Sequence, residues 1–383
     1  MFRATAIAGK RLFMTQQCSN RFATGYQQIL RQIDRVDPVR YAKTRNYADG
    51  AVTRLSPYIS RGVISTRIIL EKILRLGLAF DRIEKFVQEL AWRDYWQQIW
   101  VAKGDAINRD LKQPQQDVAH QQIPLALVSA VTGIHAIDEA IEELYQGGYM
   151  HNHMRMYVAA IACNIGKSHW RMPARWMYYH LLDGDWASNA LSWQWVAGSN
   201  ANKKYFANQD NINKYFHCNQ KNTFLDKTYA ELLDAQAPPV LVDSLQLSLP
   251  CDLPDNTTIE IDPQLPTLVY NYYNLDPAWR QNEKVNRVLL LEPALFNAYP
   301  VAPKNIDFML KLAGNIPGLQ LFCGEYEQLH RLTSPGAIIY KEHPLNRHYQ
   351  GQQDPRDWMF QVQGYFPSFF AFWKRCKKEL KAW

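Results

Sequence analysis

Residues 183–195 read Asp183-Gly184-Asp185-Trp186-Ala187-Ser188-Asn189-Ala190-Leu191-Ser192-Trp193-Gln194-Trp195. On a helix, Asp185, Asn189 and Trp193 fall at i, i+4 and i+8 and form one column. Buried polar groups are costly without partners, so aspartate and asparagine set among tryptophans demand partners that a large polar ligand would supply. The helical period extends outward in both directions. From about residue 20 to 216, apolar residues recur at three- and four-residue spacing, as in 60–76, 81–102, 135–146 and 149–165, with breaks at glycine and proline. This half reads as an all-α domain, taken as 1–220.

Around 235–265 the composition shifts to Pro238-Pro239, Pro250, Pro254, Pro263 and Pro266 amid polar residues, and 221–265 is taken as a linker or extended arm. Beyond it the period changes. Val288–Leu291, Leu319–Cys323 and Ala337–Tyr340 read as buried strands, alternating with helices at Asn305–Ala313 and Glu325–Leu332. A small parallel α/β domain is expected over 266–383, closing with a helix from Phe369 to Ala382.

The 383 residues carry 47% hydrophobic and 21% charged side chains at a mean hydropathy of −0.37, which excludes a disordered or collagen-like chain. No apolar run approaches the ~20 residues of a membrane helix. Arg3, Lys10 and Arg11 interrupt the apolar start before an export signal can form, so a cytoplasmic protein is expected. Six scattered cysteines without a CxxC pair signal neither a disulfide framework nor a metal site. Residues 1–110 hold 19 Lys+Arg against 10 Asp+Glu within a whole-chain net charge of +7, a bias that suits an anionic partner, either a nucleic acid or a phosphate-bearing cofactor. Aromatic residues make up 13%, with 12 Trp.

Three further segments carry candidate chemistry. Val52-Thr53-Arg54-Leu55-Ser56-Pro57-Tyr58 sets hydroxyls and a guanidinium beside a helix start marked by Ser56-Pro57, which suits a phosphate or is an ordinary capped helix. In Glu89-Leu90-Ala91-Trp92-Arg93-Asp94-Tyr95-Trp96, Glu89, Trp92 and Trp96 share a face that could stack a flat base, while Glu89 and Arg93 are spaced as an ion pair. The same tryptophans are equally readable as core. Gly148-Tyr149-Met150-His151-Asn152-His153-Met154-Arg155-Met156 places Asn152 and Arg155 one turn apart.

Taken in order, TRLSPYISRGVIS, ELAWRDYW, GYMHNHMRM and DGDWASNALSWQW resemble the FAD-binding helical domain of the DNA photolyase/cryptochrome family over residues 40–216. The resemblance implies FAD as cofactor. It implies phosphate contacts from Tyr41, Thr53, Arg54, Leu55 and Ser56, with Val52 departing from the usual hydroxyl. It further implies that Trp92 and Arg93 lie beside the cofactor and that Asn152, Arg155, Asp183 and Asp185 contact its flavin and adenine. Asn189 falls where the family places the residue next to flavin N5, and Asn there favours repair over signalling. Glu89, Trp92, Met156 and Trp195 match the pocket for a pyrimidine dimer, and His153 stands where arginine is common.

The resemblance implies a reduced flavin that passes an electron under blue light to a flipped-out dimer in DNA, with Glu89 hydrogen-bonding the dimer. Trp193 and Trp170 match two members of a tryptophan chain that reduces the flavin. The distal member has no counterpart, since residues 111–135 lack tryptophan; Trp176, Trp186 or the pair Tyr178-Tyr179 could replace it as the exit, against core packing, which is the preferred reading for Trp176 and the tyrosines. The usual members carry an α/β domain before the cofactor domain, whereas here it follows. His343-Pro344 and the aromatic run 364–370 read as structural, no antenna chromophore is assigned, and no metal is expected. A cryptochrome-like photoreceptor signalling through its C-terminal module is the competing reading.

Overall fold

A computed structural model describes residues 22–255, 257–333 and 337–380. Arg3, Lys10, Arg11 and Cys18, and the end of the last helix expected to reach Ala382, lie outside the described residues. The principal helices of the first half are α1 (Tyr26–Asp34), α2 (Pro38–Thr44), α3 (Ser56–Ser60), α4 (Thr66–Leu74), α5 (Phe80–Lys103), α6 (His135–Gly147), α7 (Asn152–Ala160), α8 (Arg171–His180), α9 (Trp186–Ala197) and α10 (Gln209–Phe216). The sequence pattern over 60–76 predicts one helix, but the chain breaks between α3 and α4. Gly62 there has φ +64°, and a Cβ on it would lie 2.3 Å from the carbonyl oxygen of Tyr273, so the close approach of the second half fixes both the glycine and the break.

Two short strands, β1 (Ile123–Pro124) and β2 (Ser244–Leu245), pair antiparallel and tie the proline-rich segment to the helical half. The same segment reaches the sheet farther on, where the Thr257 hydroxyl donates to the carbonyl of Leu321 (2.7 Å) and the Glu260 N–H to Gln320 Oε1 (2.7 Å). The region expected as a linker is therefore a strap held at both ends.

The second half forms a five-stranded sheet of β3 (Thr267–Tyr270), β4 (Asn286–Leu291), β5 (Leu319–Cys323), β6 (Ile338–Lys341) and β7 (Gln352–Asp354), in the order β5-β4-β3-β6-β7 with every pairing parallel. Two of these strands escape the sequence pattern. Central β3 is only four residues behind Pro266, and edge β7, Gln352-Gln353-Asp354, has no apolar residue at all. Side chains alternate between faces with period two. Leu268, Tyr270, Leu289, Leu291 and Ile339 join the core of the helical half, together with Ile306, Met309 and Leu312 of α11 (Pro303–Ala313). On the opposite face Val269, Val288, Leu290, Ile338 and Tyr340 pack under Tyr326 and Leu329 of α12 (Tyr326–Leu332).

One apolar core thus runs through both halves, and polar clamps fix its edges. Asn305 of α11 donates from Nδ2 to the carbonyls of Tyr179 (3.0 Å) and Leu181 (3.1 Å), filling acceptors that the end of α8 leaves open. Asn315, just past α11, accepts from the Tyr26 N–H (2.8 Å) and donates to the Thr24 carbonyl (2.6 Å), joining segments almost 300 residues apart.

The last helix, α13 (Phe369–Leu380), and the irregular chain before it lie along α5. Asp94 accepts from the Met359 N–H (2.9 Å) and the Thr66 hydroxyl (2.9 Å), Gln98 Oε1 accepts from the Gly364 N–H (2.9 Å), and the Tyr95 hydroxyl donates to the Phe366 carbonyl (3.2 Å). Burial raises the Asp94 pKa to about 6, against hydrogen bonds that lower it. A carboxyl whose folded pKa exceeds its unfolded value stabilises the fold at low pH, and that contribution is lost as pH rises through about 6. The Asp94→Asn variant, which cannot ionise, should therefore gain stability relative to the parent as pH rises from 4 to 7, read as the difference in urea midpoints. A difference independent of pH would refute this.

Candidate functional site

Helices α5, α7, α8 and α9 enclose an open cavity of about 270 Å³. Glu89, Trp92, Arg93 and Trp96 of α5 face it, so the face expected from their spacing is formed. From α9 come Ser188, Asn189, Ser192, Trp193 and Trp195, with Asp183 and Asp185 from the loop before it. On α7, at about 100° per residue, Arg155, Asn152 and Met156 fall within about 100° of arc, and all three line the cavity. His153 lies about 60° outside that arc. Contrary to its expected place in the substrate pocket, it is buried against Tyr157 and Tyr215, with Nδ1 3.2 Å from the Asn46 carbonyl.

The two aspartates are held from several sides. Asp183 receives Arg155 Nη2 at 3.0 and 2.9 Å on its two oxygens and the Ser56 hydroxyl at 2.6 Å. Asp185 caps α9 through the Ser188 N–H (2.7 Å), while its other oxygen takes Gln97 Nε2 at 2.5 Å and lies 3.5 Å from Arg93 Nη1. Arg93 also donates to the Ser60 hydroxyl (2.8 Å), which in turn donates to the Asp183 carbonyl (2.7 Å). The i,i+4 pair expected between Glu89 and Arg93 is not made. Arg93 turns inward to the buried Asp185, and Glu89 instead meets Arg45 Nε (3.2 Å) and, at 3.8 Å, Lys85 Nζ. Glu89 thus sits at the rim beside two cations.

Asn189 donates from Nδ2 to the Ala174 carbonyl (2.8 Å), which fixes the amide and leaves its oxygen as the free acceptor. Trp193 lines the cavity. Trp170 does not; it is fully buried and donates from Nε1 to Asp110 Oδ1 (2.7 Å). Trp176, Trp186 and Tyr178 are almost wholly buried, Tyr179 is 9% exposed, and their polar atoms bond to Tyr145, Asn108, Tyr273 and, for Tyr179, the Pro250 carbonyl.

The segment expected to bind phosphates lies behind this cavity rather than in its wall. Helix α3 starts at Ser56, so the cap position falls on Leu55 and has no side-chain hydrogen bond, while the Ser56 hydroxyl is committed to Asp183. Arg54 is exposed at φ +53°, its guanidinium 5.8 Å over the Tyr149 ring, which Arg155 meets at 5.5 Å from its own side. The Thr53 hydroxyl accepts from the Leu55 N–H (3.3 Å), and Leu55 is core. Tyr41 packs edge-on against Phe86 with centroids 5.0 Å apart, and burial raises its hydroxyl pKa, so it remains a neutral donor.

Four contributors escape sequence reasoning. Gln97 lies one turn past Arg93 in an i+4 column from Glu89, which is the signal that could have found it. Ser188 and Ser192 sit one residue before Asn189 and Trp193 in a parallel column. Arg45 carries no local signal, since its role depends on where α5 passes. The Ser188 hydroxyl is buried against the cavity without a hydrogen-bond partner among the described residues. With the Asn189 oxygen it offers polar groups to a bound heterocycle, in a cavity near the lower end of the ~300–1,000 Å³ range of ligand pockets.

Residues 86–243 match the family model described as the FAD binding domain of DNA photolyase. FAD is the cofactor of that domain. The chain is 35% identical over 154 residues to a deoxyribodipyrimidine photo-lyase of Streptomyces griseus, covering 40% of this chain and 33% of that protein. It is 33% identical over 165 residues to a deoxyribodipyrimidine photo-lyase of Thermus thermophilus, covering 42% and 38%. It therefore spans about a third of the length of these curated relatives. Among solved structures, a Synechocystis cryptochrome aligns with TM-score 0.45 and 24% identity over 51% of this chain and 44% of that one. A photolyase from Sulfolobus tokodaii aligns with TM-score 0.44 and 25% identity over 51% and 45%.

Removing Arg155 would leave the Asp183 carboxylate buried without its cation. Breaking such a pair costs about 3–5 kcal/mol when both partners are buried, and Arg155 is partly exposed, so Arg155→Leu is expected to lose about 2 kcal/mol in chemical denaturation and to purify with less flavin per chain. Unchanged stability and flavin content would show that the pair does not organise the cavity.

Proposed function

We propose that the chain is a FAD-dependent, blue-light-driven photo-lyase that splits cyclobutane pyrimidine dimers in DNA. The supporting observation is that a single cavity gathers side chains from both sets implied by the family resemblance: Asn152, Arg155, Asp183, Asp185, Asn189 and Trp193 from the cofactor set, and Glu89, Trp92, Met156 and Trp195 from the dimer set, while Tyr41, residues 53–56 and His153 lie outside its lining. The bound flavin would supply the photochemical electron.

The protein's own contribution is binding, orientation and electrostatics. A dimer swung out of the duplex would rest against Trp92 and the thioether of Met156, with Trp195, 37% exposed, at the mouth. Glu89, held beside Arg45 and Lys85, would hydrogen-bond the base edge and balance charge developing there. The two cations also stand where a phosphate backbone would pass, which makes binding salt-dependent. Asn189 directs a neutral amide oxygen at the flavin side. Trp193 and Trp170 would return electrons to an oxidised cofactor.

The test is illumination of purified, reduced protein with dimer-containing DNA, followed by assay of remaining dimers. Repair is expected, with Glu89→Ala lowering repair per photon by about 10²-fold at most while flavin stays bound. Dimers that persist while the flavin undergoes its redox change would refute the proposal. One observation favours the second reading, a blue-light receptor: the Phe369 ring of α13 stacks on Trp92 at 3.8 Å and 9°, joining the cavity wall to the C-terminal helix. That reading requires light to change hydrogen exchange in α13 in the absence of DNA.

A further inference from the structure

Two positions past the end of β7, Arg356 extends from the sheet toward α5. Its guanidinium forks onto Glu342, with Nη2 to Oε1 at 3.0 Å and Nε to Oε2 at 3.1 Å, and lies 4.5 Å over the Trp358 ring. Glu342 immediately follows β6, and its N–H donates to the Asp354 carbonyl (2.9 Å). The guanidinium is thus anchored by the carboxyl ends of two neighbouring strands. Its remaining nitrogen, Nη1, donates to Gln97 Oε1, and Gln97 Nε2 donates to Asp185 Oδ2 at 2.5 Å. Gln97 and Asp185 are both more than nine-tenths buried.

The polarity of this chain is set by chemistry. A guanidinium has donors only, so the amide atom facing Arg356 must be the oxygen. The amide nitrogen is then left for Asp185, an acceptor. Without Arg356 the Gln97 oxygen would be buried and unpaired, and the amide would be free to turn over. The turned amide would present its oxygen to the Asp185 carboxylate. Asp185 would then lose a donor while capping α9, the helix that carries Asn189 and Trp193.

We propose that Arg356 of the α/β half is a positioning residue of the flavin cavity, acting through the orientation of Gln97 on Asp185. The inference rests on the reading of that cavity as the FAD site, and it makes the α/β half part of the cofactor-binding machinery. It also separates two kinds of contact between the halves. Arg347, which donates to the Val101 carbonyl near the end of α5, docks the same half without touching the relay.

The experiment strips flavin from the full-length protein and titrates the apoprotein with FAD, following flavin fluorescence. Arg356→Met should raise Kd roughly tenfold, Arg356→Lys, which retains one donor, should fall between it and the parent, and Arg347→Met should stay within about twofold. Gln97→Met should weaken binding as much as Arg356→Met, and the double variant should be no worse than either alone, because both break one relay. Near-UV circular dichroism checks that each variant is folded. Parent-like affinity in Arg356→Met, additive losses in the double variant, or an equal loss in Arg347→Met would each overturn the inference. A parent protein that binds FAD but leaves dimers intact would overturn the repair reading alone, whereas a parent without FAD affinity would overturn this inference.

Discussion

Three consecutive residues, Asp183-Gly184-Asp185, impose a constraint that most of the helical half is arranged to meet. Two carboxylates almost out of contact with water must be neutralised and hydrogen-bonded, since removing either partner of a buried pair is strongly destabilising. Arg155 comes from α7, Ser56 from α3, Arg93 and Gln97 from α5, and the Ser188 N–H from α9. Even the carbonyl of Gly184 between them is taken, by the fully buried Arg61. A side chain at 184 would press on the carbonyls of Tyr178 and Leu181, both 3.0 Å from its first carbon. Three of the four elements that serve this loop, α5, α7 and α9, also wall the cavity.

The same hub explains why the α/β half is not an appendage. Arg61 lies with its guanidinium 3.5 Å over Tyr272 and 5.0 Å from Tyr273, both in the turn that follows β3. Burial pushes its pKa down, and the tyrosine faces together with the Gly184 carbonyl replace part of the water it has lost, while Nε and Nη1 have no hydrogen-bond partner among the described residues. The sheet thus presents its carboxyl-terminal edge to the residues that hold Asp183 and Asp185. In a parallel sheet this edge is where ligand-handling residues collect, because the chain changes direction there. Here that edge supports a cofactor cavity built by a different part of the fold.

Much of the site was legible in the sequence because helical spacing places side chains by arithmetic alone. The column Asp185, Asn189 and Trp193 and the face Glu89, Trp92 and Trp96 needed no tertiary information. What stayed illegible depends on partners distant along the chain. The spacing of Glu89 and Arg93 suggests a pair, but the buried Asp185 draws Arg93 inward and Arg45 takes Glu89. The motif position of His153 suggests a ligand, but its angle on α7 directs it to Tyr215. The break at Gly62 is set by the Tyr273 carbonyl, more than 200 residues away. Strand β3 hides because a buried parallel strand of four residues has no alternation to reveal, and β7 because its pairing is made by backbone and not by side chains.

The clamp between Asn315 and the segment at Thr24–Tyr26 bears on how the chain is made. Helix α1 can pack on α4 as soon as both are synthesised, but the residue that clamps its start emerges almost 300 residues later. At about 5–20 residues per second, synthesis leaves that clamp unmade for roughly 15–60 s. The joining of the two halves at this point is therefore a late, whole-chain event.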